Sequence, residues 1–292
     1  MSDPGIGAQD MVSPLRRVLV RRPGPALFNA DPALWHYARP LNAAALTSQF
    51  DAFIHILEST GPEIHWLPEA GDGLADSIFS HDPSLMTRRG AVLMRMGKVL
   101  RRPEVELHAA AYESLGIPIL GRIEAPGTVE AGDCLWLDEA TLAVGRGVRT
   151  NQAGIDQLAR ILSPLGVAVH GFDLPLWAGE EACLHLMSII SLLDRDLALV
   201  YKPLLPVAFH RLLQERGIAM AEAPEDEFLG SAGLCINVLA TAPRHGVMVA
   251  GYPKTRAAME AAGATIEVFP GDELCLPCEG GPTCLTRPVL RG

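Results

Sequence analysis

The sequence has no apolar run of the roughly 18 residues needed to cross a bilayer, which argues against a membrane-spanning helix. Basic charge is also scarce. Asp and Glu number 34 against 24 Lys and Arg, and the net charge of -10 offers no basic face to nucleic acid. Six cysteines (Cys134, Cys183, Cys235, Cys275, Cys278 and Cys284) in 292 residues do not suggest a disulfide framework, and most are expected as buried thiols of a reducing compartment. Cys275 and Cys278 form a CxxC, but no second CxxC or CxxH lies at metal-site spacing. Structural thiols are therefore expected there, with no metal and no cofactor. The opening MSDPGIGAQDMVSPLRR lacks the apolar core of a secretory signal, so a cytoplasmic protein with a flexible tail over residues 1–13 is expected. No Gly-, Ser- or Pro-rich linker interrupts residues 14–292, which read as one α/β domain.

What the sequence does contain is a unit repeated five times: a short apolar strand, a loop, an amphipathic helix, a glycine and a second strand. The first copy runs from VLV (18–20) through SQFDAFIHILEST and Gly61 to EIHWL; the others begin at AVLM (91–94), TLAV (141–144), LALV (197–200) and VMVA (247–250). Helical spacing is clear in Phe50, Phe53, Ile54 and Leu57, and in Ile155, Leu158, Ile161 and Leu162. Gly61, Gly116, Gly166, Gly217 and Gly263 follow the helices, where a left-handed residue turns the chain into the next strand. Each unit leaves a strand edge and an apolar face to be covered, so five copies suggest a ring with pseudo-fivefold repeats. The segments between units would meet at its hub. Apolar helix faces and exposed strand edges also leave room for a homo-oligomer.

Those inter-unit segments hold Asp76, His81, Asp82, Glu130, Asp133, His185 and Cys284. A thiol, an imidazole and several carboxylates brought to one centre would make a nucleophilic site for a cationic substrate. Cys284 lies in EGGPTCLTRP, where paired glycines leave the thiol reachable. His185 lies in the apolar CLHLMSIISLLD, where it is either a satisfied core histidine or a general acid and base. Asp76 and Asp82 could cap turns, and Asp133 could close a hairpin. Arg101 and Arg149 could neutralise the carboxylates or bind a substrate carboxylate in bidentate fashion. The long stretch RRPGPALFNADPALWHYARPLN reads either as an irregular surface loop or as a lid over the hub.

DSIFSHDP, IEAPGTVEAGD, GVRTN, LHL, AGYPKTR and GGPTC, in that order, resemble the guanidine-modifying superfamily. Its members include arginine deiminases, amidinotransferases and dimethylarginine dimethylaminohydrolases, and the bacterial examples of the last are the nearest. The resemblance covers nearly the whole chain and implies a five-bladed β/α propeller, or pentein. It further implies that Cys284 is the nucleophile, His185 the proton donor, and Glu130 the acid holding the guanidinium and the histidine. Asp82 would contact the guanidinium, Asp76 the guanidinium or the substrate's far polar end, and Arg101 with Arg149 the α-carboxylate. His81 departs from the pattern: near relatives carry a glutamate that helps recognise the guanidinium, so one fixed negative charge is missing. The resemblance implies a hydrolase cleaving a guanidinium C–N bond of arginine or an N-methylated arginine. The alternatives are an amidinotransferase using an amine acceptor, and a catalytically silent guanidine-binding protein.

Overall fold

The structure is a computed structural model that describes residues 5–71, 73–177, 179 and 183–292. Its strands are β1 (Leu15–Val20), β2 (Glu63–Trp66), β3 (Ser84–Thr87), β4 (Gly90–Leu93), β5 (Ile119–Arg122), β6 (Cys134–Asp138), β7 (Thr141–Arg146) and β8 (Ala168–Asp173), followed by β9 (Ile190–Asp194), β10 (Leu197–Val200), β11 (Ala219–Glu222), β12 (Leu239–Ala242), β13 (His245–Val249), β14 (Thr265–Phe269) and β15 (Arg287–Arg291). They form five three-stranded sheets, ordered β15-β1-β2, β3-β4-β5, β6-β7-β8, β9-β10-β11 and β12-β13-β14. In each sheet the middle strand pairs antiparallel with one neighbour and parallel with the other. Every parallel pair is bridged by one of the expected helices, because parallel strands need a crossover. These helices are α1 (Ala43–Ser59), α2 (Glu104–Ser114), α3 (Gln152–Leu162), α4 (Val207–Glu215) and α5 (Pro253–Ala261).

The repeat read from the sequence is thus β1-α1-β2 and its four counterparts. The glycines expected to end the helices all have positive φ, between 66° and 91°. Asn42 starts α1 by accepting from the Ala45 amide at 3.1 Å, and Leu46, Phe50, Phe53, Ile54 and Leu57 bury one face of that helix. A third strand in each sheet, antiparallel to the middle one, was hidden in the inter-unit segments. β3 and β9 are four and five residues long and almost wholly buried, whereas the outer β2, β5, β8 and β11 are largely exposed or half-buried. A short strand buried on both faces has no alternation to betray it.

β15 comes from the far end of the chain and completes the first sheet by pairing with β1, Val18 opposite Pro288. The inner strands of all five sheets contribute to one narrow cavity. Residues 5–13, expected as part of a flexible tail, instead pack onto the fold. Gly7 bonds to Val289 and Arg291 through the backbone at 2.7 and 2.8 Å, and Ile6, Ala8 and Val12 are buried. Intrinsic propensity is weak in this segment, and its order comes from pairing with the opposite end of the chain. No helix among the described residues is long and apolar enough to cross a membrane.

Candidate active site

The loop that leads into each inner strand reaches a cavity of about 120 Å³, and four of the five deliver a polar side chain to it. His81 and Asp82 precede β3, Gly132 precedes β6, His185 precedes β9, Asn237 precedes β12 and Cys284 precedes β15. Asp76, Arg101 and Arg149 also line the cavity. All the candidates from the sequence converge here except Glu130 and Asp133, which are fully buried behind His185. Glu130 Oε2 lies 2.8 Å from His185 Nε2, and its Oε1 accepts from the Lys98 amide at 3.0 Å. The contact expected between Glu130 and the histidine is present, while Asp82 and Asp76 face the cavity. Asp133 accepts from Thr150 at 2.6 Å and from the Leu186 amide at 2.9 Å, so it anchors the turn that carries His185.

Close packing leaves no slack around these groups. A Cβ on Gly132 would lie 2.5 Å from His185 Nδ1 and 2.9 Å from Asp82 Oδ1, while one on Gly281 would lie 2.6 Å from the Asn237 side chain. Asn237 donates to Cys284 Sγ at 3.0 Å and accepts from the Thr283 amide at 2.9 Å, clamping the thiol loop. The His81 amide donates to the Cys284 carbonyl at 3.1 Å, tying two site loops together.

Charges are arranged in buried pairs. Asp82 takes Arg101 Nη1 at 2.6 Å and the Gly132 amide at 3.0 Å. Arg101 also bonds Glu104 at 2.9 to 3.1 Å and the Phe79 carbonyl at 3.0 Å. These contacts match one of its two sequence readings, the neutralising of carboxylates. Arg149 Nη1 lies 3.3 Å from both Glu130 oxygens and retains partial exposure. Burial alone would raise the Glu130 pKa, but the His185 hydrogen bond and Arg149 hold it well below the carboxylate range. Burial opposes charging of His185 too, yet the Cys183 sulfur, Asp133 and Glu130 outweigh it and raise its pKa well above the ordinary value. Burial and then Asp82 push the Cys284 thiol up, against the opposing pull of Gly281, Asn237 and His185. Both shifts favour a protonated thiol and a charged imidazole. His81 is the reverse: burial and then Arg287 lower its pKa to about 3, so it is neutral.

Several participants escaped the sequence reading. Lys98 Nζ bonds Asp76 at 2.7 Å and the Trp35 carbonyl at 2.9 Å, and sits 4.9 Å from the Trp35 ring centroid. Tyr37 donates to the other Asp76 oxygen at 2.7 Å. Trp35 and Tyr37 belong to the long Pro-rich loop, which thus lines the cavity. Asn237 could have been found from the repeat, since it occupies the place that Cys284 and His185 hold ahead of their own strands. Cys183 Sγ, His185 Nε2 and a Glu130 oxygen lie within 4.8 Å of one another. Cys275 and Cys278 are free thiols.

Comparison with known proteins adds an independent line. The arginine deiminase family model matches residues 71–227, more than half of the chain. The dimethylarginine dimethylaminohydrolase of Pseudomonas aeruginosa is 29% identical over 277 residues, covering 93% of this chain and 98% of that protein. That of Streptomyces coelicolor is 32% identical over 203 residues, 68% of this chain and 74% of its own length. The crystal structure of a cysteine-to-serine variant of the Pseudomonas aeruginosa enzyme with citrulline aligns with TM-score 0.77 and 26% identity, over 96% of this chain and all of the other.

Proposed function

The chain belongs to the arginine deiminase family, and from that premise we propose that it hydrolyses a guanidinium C–N bond of arginine or an N-methylated arginine, giving a citrulline-type product and ammonia or an amine. The observation that carries this reading is the delivery of Cys284, His185, Asp82 and Asn237 to one cavity from four different inner-strand loops. The proposal includes a closed five-bladed propeller formed by residues 14–292 as a single domain in the cytoplasm, with β15 closing the ring onto β1.

The substrate cation is held beside the Asp82 and Asp76 carboxylates by charge-assisted hydrogen bonds. Its arrival places positive charge next to Cys284 and lowers the raised thiol pKa, so the proton leaves to solvent. The thiolate forms a C–S bond to the guanidinium carbon, and His185 gives its proton to the departing nitrogen as the C–N bond breaks. Neutral His185 then takes a proton from water, whose oxygen attacks the amidino-thioether; the C–S bond breaks and the thiolate is restored. Glu130 orients His185 and stabilises its charged form, and Arg149, partly exposed at the cavity, is the cation for a substrate carboxylate. Neutral His81 adds no negative charge, so recognition rests on the aspartates.

Product analysis by mass spectrometry with arginine, its methylated forms and simpler guanidines tests the reading. A ureido product with stoichiometric amine or ammonia supports it; turnover only when an acceptor amine is added would assign a transferase instead. His185→Ala is expected to slow turnover by about 10²- to 10⁴-fold with little change in binding. Gly132→Ala, which pushes against His185 and Asp82, is expected to lose about 10²-fold in kcat. In the free protein, alkylation of Cys284 by iodoacetamide should keep accelerating beyond the ordinary thiol pKa near 9, and an unreactive guanidinium should move that titration downward. An unshifted titration would remove substrate-assisted deprotonation from the mechanism.

A further inference from the structure

Beneath the catalytic cavity lies a second, of about 20 Å³, room for one water-sized body. His81, Met187 and Thr283 line both, and Ala8, Asp10 and Met11 of the N-terminal segment cover the lower one. Its walls come from the inner strands of the five sheets, with Arg287 and Arg291 both supplied by β15.

Buried polar atoms without a hydrogen-bond partner are few among the described residues, and four belong to side chains lining this cavity: Trp136 Nε1, Thr283 Oγ1, Arg287 Nε and Arg291 Nε. Three of these are donors only. The remaining guanidinium contacts go to neutral groups. Arg287 reaches the Ser84 carbonyl and the His81 ring, the latter at 3.0 Å, while Arg291 reaches the Ser13 and Ala240 carbonyls at 2.7 and 2.9 Å. Neither arginine makes an ion pair among the described residues, although they are only 5% and 7% exposed. Of the carboxylates that act on them, Asp82 bonds Arg101 and the Gly132 amide, and Asp10, which lines this cavity, bonds the Val12 and Ser13 amides through Oδ1. Burial lowers the Arg291 pKa only to about 10, so it stays charged at neutral pH.

A buried cation without a counter-charge is expensive, and an orphaned donor adds to the cost. A water in the cavity would accept hydrogen bonds but leave the charge in place. We propose that this cavity binds one small monovalent inorganic anion of the halide class, held by the orphaned donors of Arg287, Arg291 and Trp136. Its size excludes tetrahedral oxyanions such as sulfate. The site is separate from the catalytic reading and stands or falls without it.

The test is thermal unfolding of the full chain at constant ionic strength while sodium gluconate is replaced by sodium chloride. A rise in Tm that becomes logarithmic in chloride is expected, roughly 2–4 °C per tenfold increase above its Kd, and Arg291→Met should abolish it. A wild-type crystal grown in bromide should show an anomalous peak beside Trp136, Arg287 and Arg291, which needs no variant to fold. Equal Tm in chloride and gluconate, or density for water alone in the bromide crystal, would overturn the proposal.

Discussion

Replacing Cys284 with serine is expected to lower product formation by about 10⁴-fold or more, while a guanidino ligand still binds. Three thiols line the cavity, Cys183, Cys278 and Cys284, so the assignment needs a physical reason. Burial and then Asp76 push Cys278 far up, which leaves it a poor source of thiolate. Cys284 is also raised by burial, but it alone receives a hydrogen bond from Asn237 on its sulfur, and the Gly281 backbone and His185 act to lower its pKa. Cys183 stands 3.3 Å from His185 Nε2, on the nitrogen that also faces Glu130. Steady-state turnover, binding by calorimetry and mass mapping of the trapped amidino adduct check the expectation together. An adduct on Cys183 or Cys278, or normal turnover by the serine variant, would sink it.

The second large effect concerns stability. Arg101→Met strands Glu104 and Asp82, which are 1% and 4% exposed and both bound to that guanidinium. Breaking a buried pair by removing one partner costs about 3–5 kcal/mol. Burial already raises the Glu104 pKa to about 7 with Arg101 present, and losing the cation raises it further. The folded variant then binds more protons than the unfolded chain from near the ordinary carboxylate pKa to above pH 7, so its stability falls as pH rises through that window. The loss relative to wild type should be larger at pH 8 than at pH 5.5 in urea unfolding, and adding Glu104→Gln should restore part of it. Were Arg101 simply a grip for substrate carboxylate, KM would rise with stability unchanged. A rise in KM is expected from Arg149→Met, whose side chain is partly exposed at the cavity, together with some loss of stability because it also contacts the buried Glu130.

Much of the architecture can be read along the chain because its signals are local. Apolar spacing marked α1 and α3, a glycine followed each of the five helices, and strand, helix and strand recurred five times within short spans. Cys284, His185, Asp82 and Asp76 stood out because reactive side chains sat in glycine-rich or apolar strings, although the sequence also left structural roles open for them. Tertiary structure decided what depends on residues far apart in sequence. The pairing of β1 with β15, the docking of residues 5–13 and the orphaned arginines of the inner cavity all join opposite ends of the chain. Asn237 meets Cys284 across 47 positions and Glu130 meets His185 across 55, so neither partnership leaves a local pattern. Arg101 illustrates the division most plainly: the sequence by itself supplied a cation near acidic residues, and only the tertiary packing of Glu104 and Asp82 around it decided which carboxylates it pairs with.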